Sequence, residues 1–341
     1  MAQRGAKVRV FEQAAEISEV GAGLQISPNG FAVLQALGLS AALRDVSIVA
    51  DGIRLRDFRH GKTVLSMPLQ GLGHENPYLF VHRAALIDVL ASAARDAGVE
   101  IILNHRVSAP MHVGPDADFT VAADGLHSWV RARLNNGDAP FFTGQVAWRA
   151  VVDDIQNDSI AQVWMGPGCH LVTYPLSGGL RNIVAVQERE TWADEGWNIA
   201  DDPENLQAAF AGSGQEIREL LGRVETVNLW GLFRHPVAEH WFDDHYALVG
   251  DAAHPTLPFL AQGANMALED AWVLADCLAS MDRPQALQAY QNRRKARVTK
   301  VIAAANANAR NFHLRNPLVR FGAHTGLRLA AAIAPLAVAA R

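Results

Sequence analysis

The stretch Tyr246-Ala247-Leu248-Val249-Gly250-Asp251-Ala252-Ala253-His254-Pro255, continued by Pro258 and Gln262-Gly263-Ala264-Asn265, decides the fold. An unbroken apolar run ending in Gly-Asp reads as a buried strand of a parallel sheet, since a strand covered on both faces has no polar alternation. The segment that follows, MALEDAWVLADCL (266–278), repeats its apolar positions at the helical period. Ligands bind at the carboxyl ends of such strands, where Asp251 can accept hydrogen bonds from hydroxyls. The first amides of the next helix, at Gly263, Ala264 and Asn265, aim donors and a positive dipole end at one point. Together they suit a ring edge that gains negative charge. Taken singly, Asp251 also reads as a turn cap and Gly263 as a turn former.

Upstream, Val8–Phe11 is a β-rich run ending at Glu12, where a carboxylate is placed for a ribose diol. Ser27-Pro28-Asn29-Gly30 starts a helix that Gly38 stops. Residues 52–69 alternate around His60-Gly61 as a hairpin. Arg83 begins a helix that ends before Gly98, and the strand Val99–Leu103 follows. A loop at 110–116 leads to the strand Phe119–Ala123, which delivers Asp124-Gly125, with Arg131 a few residues on. This strand–helix–strand order predicts a parallel sheet. From 141 to 237 short strands separated by Gly and Pro predict an antiparallel sheet, with one helical stretch near 203–222. After Gly263 the pattern is helical to the end. The expected fold is therefore mixed α/β: a Rossmann-like part at 1–139 and 239–341, interleaved with an antiparallel-sheet part at 140–238, and a helical C-terminus. The 52–69 hairpin fits either part.

Composition narrows the function. The 341 residues are 50% hydrophobic and 19% charged, with a formal net charge of −5, so neither a nucleic-acid nor an anionic-membrane partner is expected. Two cysteines, Cys169 and Cys277, make neither a disulfide framework nor a zinc site, and no metal is expected. The N-terminus lacks a signal-peptide core, and the apolar run Leu329–Ala340, interrupted by Pro335, is far short of the roughly 20 residues of a membrane span. A cytoplasmic protein acting on small molecules is the expectation.

In their order and separations, Glu12, VHRAAL (81–86), AADGLHSWVR (122–131) and GDAAHPTLPFLAQGANMALEDA (250–271) resemble the FAD-dependent aromatic hydroxylases, the single-component flavoprotein monooxygenases. AGLQISPNGFAVLQALGL (22–39) and WMGPGCHLVTYPL (164–176) are similar to the salicylate hydroxylase-like branch. The resemblance implies that Glu12 binds the adenosine ribose and that Arg83 contacts the flavin cofactor. It implies that Asp124 and Gly125 serve both FAD and the nicotinamide cofactor, that Asp251 binds the ribityl and phosphate region, and that Pro258, Gly263, Ala264 and Asn265 line the flavin ring. It further implies that NADH or NADPH reduces FAD, and that O2 then gives a flavin hydroperoxide that hydroxylates a small aromatic substrate of the phenolic-acid type. The base that deprotonates the ring hydroxyl is sought among His170 and His254, with Tyr174 and Gln262 as hydrogen-bonding partners. Arg149 is a candidate for holding a substrate carboxylate. A monomer or homodimer is expected.

One departure bears on the cofactor. The family's pattern opens with a strand and a G-x-G-x-x-G turn, roughly 20 residues before the position of Gly5. Ala2–Ala6 resembles the end of the helix that follows that turn, and Gly21-Ala22-Gly23 does not replace it, because Ile26 stands where a third glycine is needed. Residues 107–118 are also shorter than the usual three-stranded connection. The flavin-binding part is therefore expected to be N-terminally incomplete. Two alternatives compete with hydroxylation: a fragment unable to hold FAD, and a related flavin oxidoreductase.

Overall fold

The computed structural model describes residues 1–17, 23–73, 75–108, 117–137, 139–156, 158–191 and 199–333, with 329–333 described by backbone alone. Gly21-Ala22, the loop at 110–116 and the chain end at 334–341 lie outside the described residues.

An eight-stranded sheet dominates, in the order Ile199–Asp201, Val227–Arg234, Phe141–Asp153, Leu180–Glu188, Cys169–Leu176, Ile160–Gly166, Gly52–Asp57, Thr63–Pro68. All neighbours are antiparallel except Ile160–Gly166 and Gly52–Asp57, which run parallel with Gln162 opposite Arg54. Of the two placements that the sequence left open for the 52–69 hairpin, the strands pair it with the 141–234 sheet. The 52–68 hairpin, from much earlier in the chain, completes one edge.

Strand alternation separates two faces of this sheet. The back face, with Trp148, Trp164, Leu171, Ile183 and Ala185, packs on Leu206, Phe210, Ile217 and Leu220. Those residues come from two helices, Pro203–Ala209 and Gln215–Leu221, rather than from one continuous helix over 203–222. The break is steric: the Gly214 N–H donates to the Phe58 carbonyl at 2.9 Å, and a Cβ at Gly214 would meet the Arg59 carbonyl oxygen at 2.8 Å. The front face carries His170, Val172 and Tyr174, and meets Leu257, Phe259 and Ala309.

The parallel strands form two separate pairs among the described residues, not the single sheet their spacing suggested. Arg9–Phe11 pairs with Glu100–Ile102, and Tyr246–Leu248 pairs with Thr120–Ala122. A three-stranded sheet that the sequence reading did not resolve places Leu79–His82 between Gly23–Ile26 and Ser47–Val49. Its Ile26, Leu79 and Val81 pack with Phe31, Leu34 and Leu86, which sets the direction in which Arg83 leaves the strand. The helices Gly263–Ser280, Arg283–Phe312 and Pro317–Ile333 close the chain, and no helix among the described residues is long and apolar enough to cross a membrane. Tyr290 joins this layer to the strands by donating from its hydroxyl to the Leu248 carbonyl at 2.9 Å.

Candidate active site

Two carboxylates leave the same end of one parallel pair. The Val249 amide donates to the Ala122 carbonyl at 3.0 Å, so Asp124-Gly125 and Gly250-Asp251 emerge side by side. Gly125 and Gly250 both adopt left-handed backbone, φ 74° and 58°, which lets the chain turn sharply off each strand. Asp251 is solvent-exposed, yet burial raises its carboxyl pKa, with the charges of His254 and Arg83 opposing the rise. Asp251 thus stands at the carboxyl end of the strand pair, where folds of this kind have their ligand crevice. It accepts no hydrogen bond from the described residues.

The turn beneath Asp251 is clamped. Asp270, fully buried, accepts from the Gly250 amide at 3.0 Å, from Arg294 Nε at 2.6 Å, and bonds His254 Nε2. His254 is buried against the Trp241 ring, 5.3 Å between centroids. Its placement is that of a support behind the cleft. Arg131, 1% exposed, donates to the carbonyls of Ala253 at 2.9 Å and Pro236 at 2.7 Å. Ser128 starts the Arg131 helix by accepting the Arg131 amide at 3.1 Å.

The segment Pro258–Leu260 is a single turn, Ala261 follows in left-handed backbone at φ 52°, and the helix begins at Gly263. The Asn265 side chain faces inward. It donates to the carbonyls of Gln25 at 3.0 Å and Ala261 at 2.8 Å, and accepts from the Ser27 amide at 3.1 Å. Gln262 is similarly engaged, donating to Ser27 Oγ at 2.9 Å and accepting from Asn29 at 3.2 Å. What this segment offers a ligand is therefore backbone: the helix-start amides of Gly263, Ala264 and Asn265, which have no acceptor within the helix. Glu12 ends the Arg9–Phe11 strand and uses Oε1 to accept the Ala14 amide at 2.8 Å.

His170, Tyr174 and Arg149 share the front face of the large sheet, with His170 opposite Val186, Tyr174 opposite Asn182 and Arg149 opposite Val184. Four residues of strand separate His170 from Tyr174 by about 13 Å, with Val172 between them on the same face. The His170 ring lies 5.0 Å from that of Phe259, so the front face and the 258–265 segment meet at this histidine. Burial, and then the charge of His313, push the His170 pKa well down. Burial raises the Tyr174 phenol while the Arg149 charge opposes it. Arg149 packs over the Trp230 ring at 4.3 Å. Two contributors escaped the sequence reading: Tyr78, which donates to Gln25 at 2.8 Å, and His313, bonded to His170. Neither sits in a local pattern that would mark it.

A dinucleotide with a polyhydroxyl chain matches this donor set. Asp251 is an acceptor with no hydrogen-bond donor among the described residues, Arg83 is a cation within Coulombic range of it, and the helix-start amides suit a ligand's negative charge. The residues present fit the ribityl and ring portions of FAD.

Comparison with known proteins identifies the family. The FAD-binding-domain family model matches residues 1–305. The 3-amino-4-hydroxybenzoate 2-monooxygenase of Streptomyces cremeus is 35% identical, over 91% of this chain and 83% of its own length. The 3-hydroxybenzoate 6-hydroxylase of Polaromonas naphthalenivorans is 33% identical, over 92% and 84%. Among solved structures, HpxO of Klebsiella pneumoniae complexed with FAD and uric acid superposes with a TM-score of 0.82 at 23% identity, over 97% of this chain and 89% of that one. A salicylate hydroxylase substrate complex superposes with a TM-score of 0.78 at 24% identity, over 96% and 93%. The chain belongs to the FAD-binding-domain family, among the flavoprotein aromatic hydroxylases.

Proposed function

We propose that this protein hydroxylates a small phenolic acid, using NADH or NADPH and O2, with FAD held between the Asp251 cleft and the front face of the large sheet. The observation that carries this reading is the meeting of His170 with Phe259. It sets a buried, neutral imidazole against the segment whose amides suit the flavin ring. The aminohydroxybenzoate and hydroxybenzoate names of the relatives support the substrate class.

When bound, FAD supplies two-electron chemistry with the nicotinamide and oxygen transfer from O2. The chain's own residues do the rest. Asp251, Arg83 and Glu12 bind the hydroxyl and phosphate-bearing portions, Asp124-Gly125 border both cofactors, and Pro258, Gly263, Ala264 and Asn265 lay their backbone along the ring. His170 accepts the proton of the ring hydroxyl, making the ring electron-rich, while Tyr174 and Arg149 orient the substrate. Phe259, Leu257, Val184 and Trp230 keep water out. The division into 1–139, 140–238 and 239–341, the cytoplasmic setting and a monomeric or homodimeric state belong to the same proposal.

The test is flavin reduction by NADH followed across a panel of hydroxybenzoates and aminohydroxybenzoates, with product analysis. Substrate-stimulated reduction and a hydroxylated product are expected. NADH oxidation that no phenolic acid accelerates, with no oxygenated product, would overturn the reading.

A further inference from the structure

Behind His170 a hydrogen-bonded row leads out of the core. His170 Nδ1 lies 2.7 Å from His313 Nε2, and both rings are buried, at 1% and 4% exposure. His313 Nδ1 lies 3.0 Å from Glu188 Oε1, and Glu188 Oε2 accepts from the exposed Arg315 at 2.6 Å. Three stretches of chain converge here, and Gly168 is the hinge that lets them. Its amide donates to the His313 carbonyl at 3.2 Å and its carbonyl accepts the Glu188 amide at 2.9 Å. It holds φ 71°, and a Cβ there would come within 3.0 Å of Arg315 Nη2 and 3.3 Å of Glu188 Oε2.

The direction of the bonds follows from donor and acceptor inventory. Burial alone would raise the Glu188 carboxyl, but hydrogen bonds from Arg315 and His313 outweigh it and hold the carboxyl below its usual range. An ionised carboxylate only accepts, so His313 must carry its proton on Nδ1 and present Nε2 as an acceptor. His170 then donates from Nδ1, and its proton-free nitrogen is Nε2, which has no hydrogen-bond partner among the described residues. The other charged groups around the row are Arg320, near Cys169, and Arg315 itself. The Arg315 charge opposes protonation of His313, and Glu190 lies within Coulombic range of Arg315 on the solvent side.

We propose that Glu188, acting through His313, fixes the tautomer of His170 and carries the substrate's proton out to solvent. The substrate O–H gives its proton to His170 Nε2, the Nδ1 proton of His170 passes to His313 Nε2, and the Nδ1 proton of His313 passes to Glu188 Oε1. The products are a phenolate, a protonated Glu188 that gives its proton to water beside Arg315, and two histidines with their protons on Nε2. The row resets when a proton returns by the same path to the phenolate of the product. Glu188 and His313 are positioning and relay residues that lie outside every motif of the sequence. The inference deepens the reading of His170 as the group that meets the substrate and rests on it.

Two measurements on the full chain, with FAD bound, test the row. Nitrogen-15 NMR of the labelled histidine rings reads the tautomers, with His170→Gln assigning the signals, and absorbance reads the ionisation of bound 3-hydroxy-4-nitrobenzoate. Glu188→Gln is the decisive variant. Arg315 draws the amide oxygen, so the amide NH2 faces His313 and reverses both bonds. The expected result is a switch of His170 from the Nδ1–H to the Nε2–H form, with ionisation of the bound nitrophenol shifted upward by at least about one pH unit. Glu188→Asp, which keeps an acceptor, restores the wild-type tautomer. If His170 keeps its tautomer in Glu188→Gln, the relay is wrong even where hydroxylation proceeds. If the tautomer switches and no phenolic acid is hydroxylated, the relay stands and the functional reading falls.

Discussion

Arg131 donates from Nη1 to the carbonyl of Ala253 at 2.9 Å, tying the helix after Asp124-Gly125 to the turn after Gly250-Asp251. Its second nitrogen donates to the Pro236 carbonyl at 2.7 Å, so one buried guanidinium sets the separation of the two acidic turns. Arg131→Met leaves the Pro236 carbonyl without a donor and the Ala253 carbonyl with only the Ala238 amide. We expect a loss of about 2–4 kcal/mol in urea unfolding, together with weaker flavin retention on gel filtration. Unchanged values of both would show that strand pairing alone places the turns.

Asp251→Asn tests the strand-end crevice. The substitution removes the charge at a site that makes no structural hydrogen bond among the described residues, so circular dichroism and the unfolding midpoint should stay within about 0.5 kcal/mol of wild type. Flavin absorbance co-purifying with the protein should fall at least tenfold. A variant that stays fully yellow would remove Asp251 from the cofactor site.

The two candidate histidines separate by what they lose. His254 holds Asp270 behind the turn, and His254→Gln should cost stability and flavin together. His170→Gln should keep flavin and the fold but lower hydroxylation at least 100-fold, in line with removal of a general base. The loss should be relieved at high pH, where the substrate ionises by itself. Coupled hydroxylation at the wild-type rate would end the assignment.

Acid stability carries the same signature. The folded His170 pKa lies well below its ordinary 6.5, because burial and His313 disfavour the cation. Between those values the unfolded chain binds a proton that the folded chain does not, so stability is full above about 6.5 and falls as pH drops, by up to about 1.4 kcal/mol per pH unit. His170→Phe should flatten this part of the pH profile in denaturant titrations between pH 7 and 5. An unaltered slope would show that His170 is not neutral in the native protein.

Gly30→Ala probes the junction of the first helix with the 258–265 segment. A Cβ at Gly30 would sit 2.0 Å from Asn265 Oδ1, and Asn265 is held by three hydrogen bonds. We expect about 2–3 kcal/mol of destabilisation. A variant as stable as wild type would show that the Asn265 side chain shifts freely.

How far these features can be read without coordinates depends on how local they are. Asp251, the Gly263 helix start and the 52–68 hairpin announce themselves through runs of a few residues with a single period. The three-stranded sheet did not, because Ser47–Val49 and Leu79–His82 are short and meet only through tertiary pairing. The inward turn of Asn265 and Gln262 was equally hidden. Their residue types suit a ligand, and only the nearby Ser27 amide and hydroxyl show where their bonds go. His313 is the extreme case, since its partners His170 and Glu188 lie 143 and 125 residues away in sequence.

The parallel pairing of Gly52–Asp57 with Ile160–Met165 has a consequence for how the molecule is made. The hairpin leaves the ribosome about a hundred residues before its partner strand does, a wait on the order of 5–20 s at ordinary synthesis rates. During that time its Val64 and Leu65, buried at 2% and 4% exposure in the finished fold, have no sheet to cover them. Newly made chains are therefore most prone to self-association in this interval, and slower translation through the 70–160 region would lengthen it.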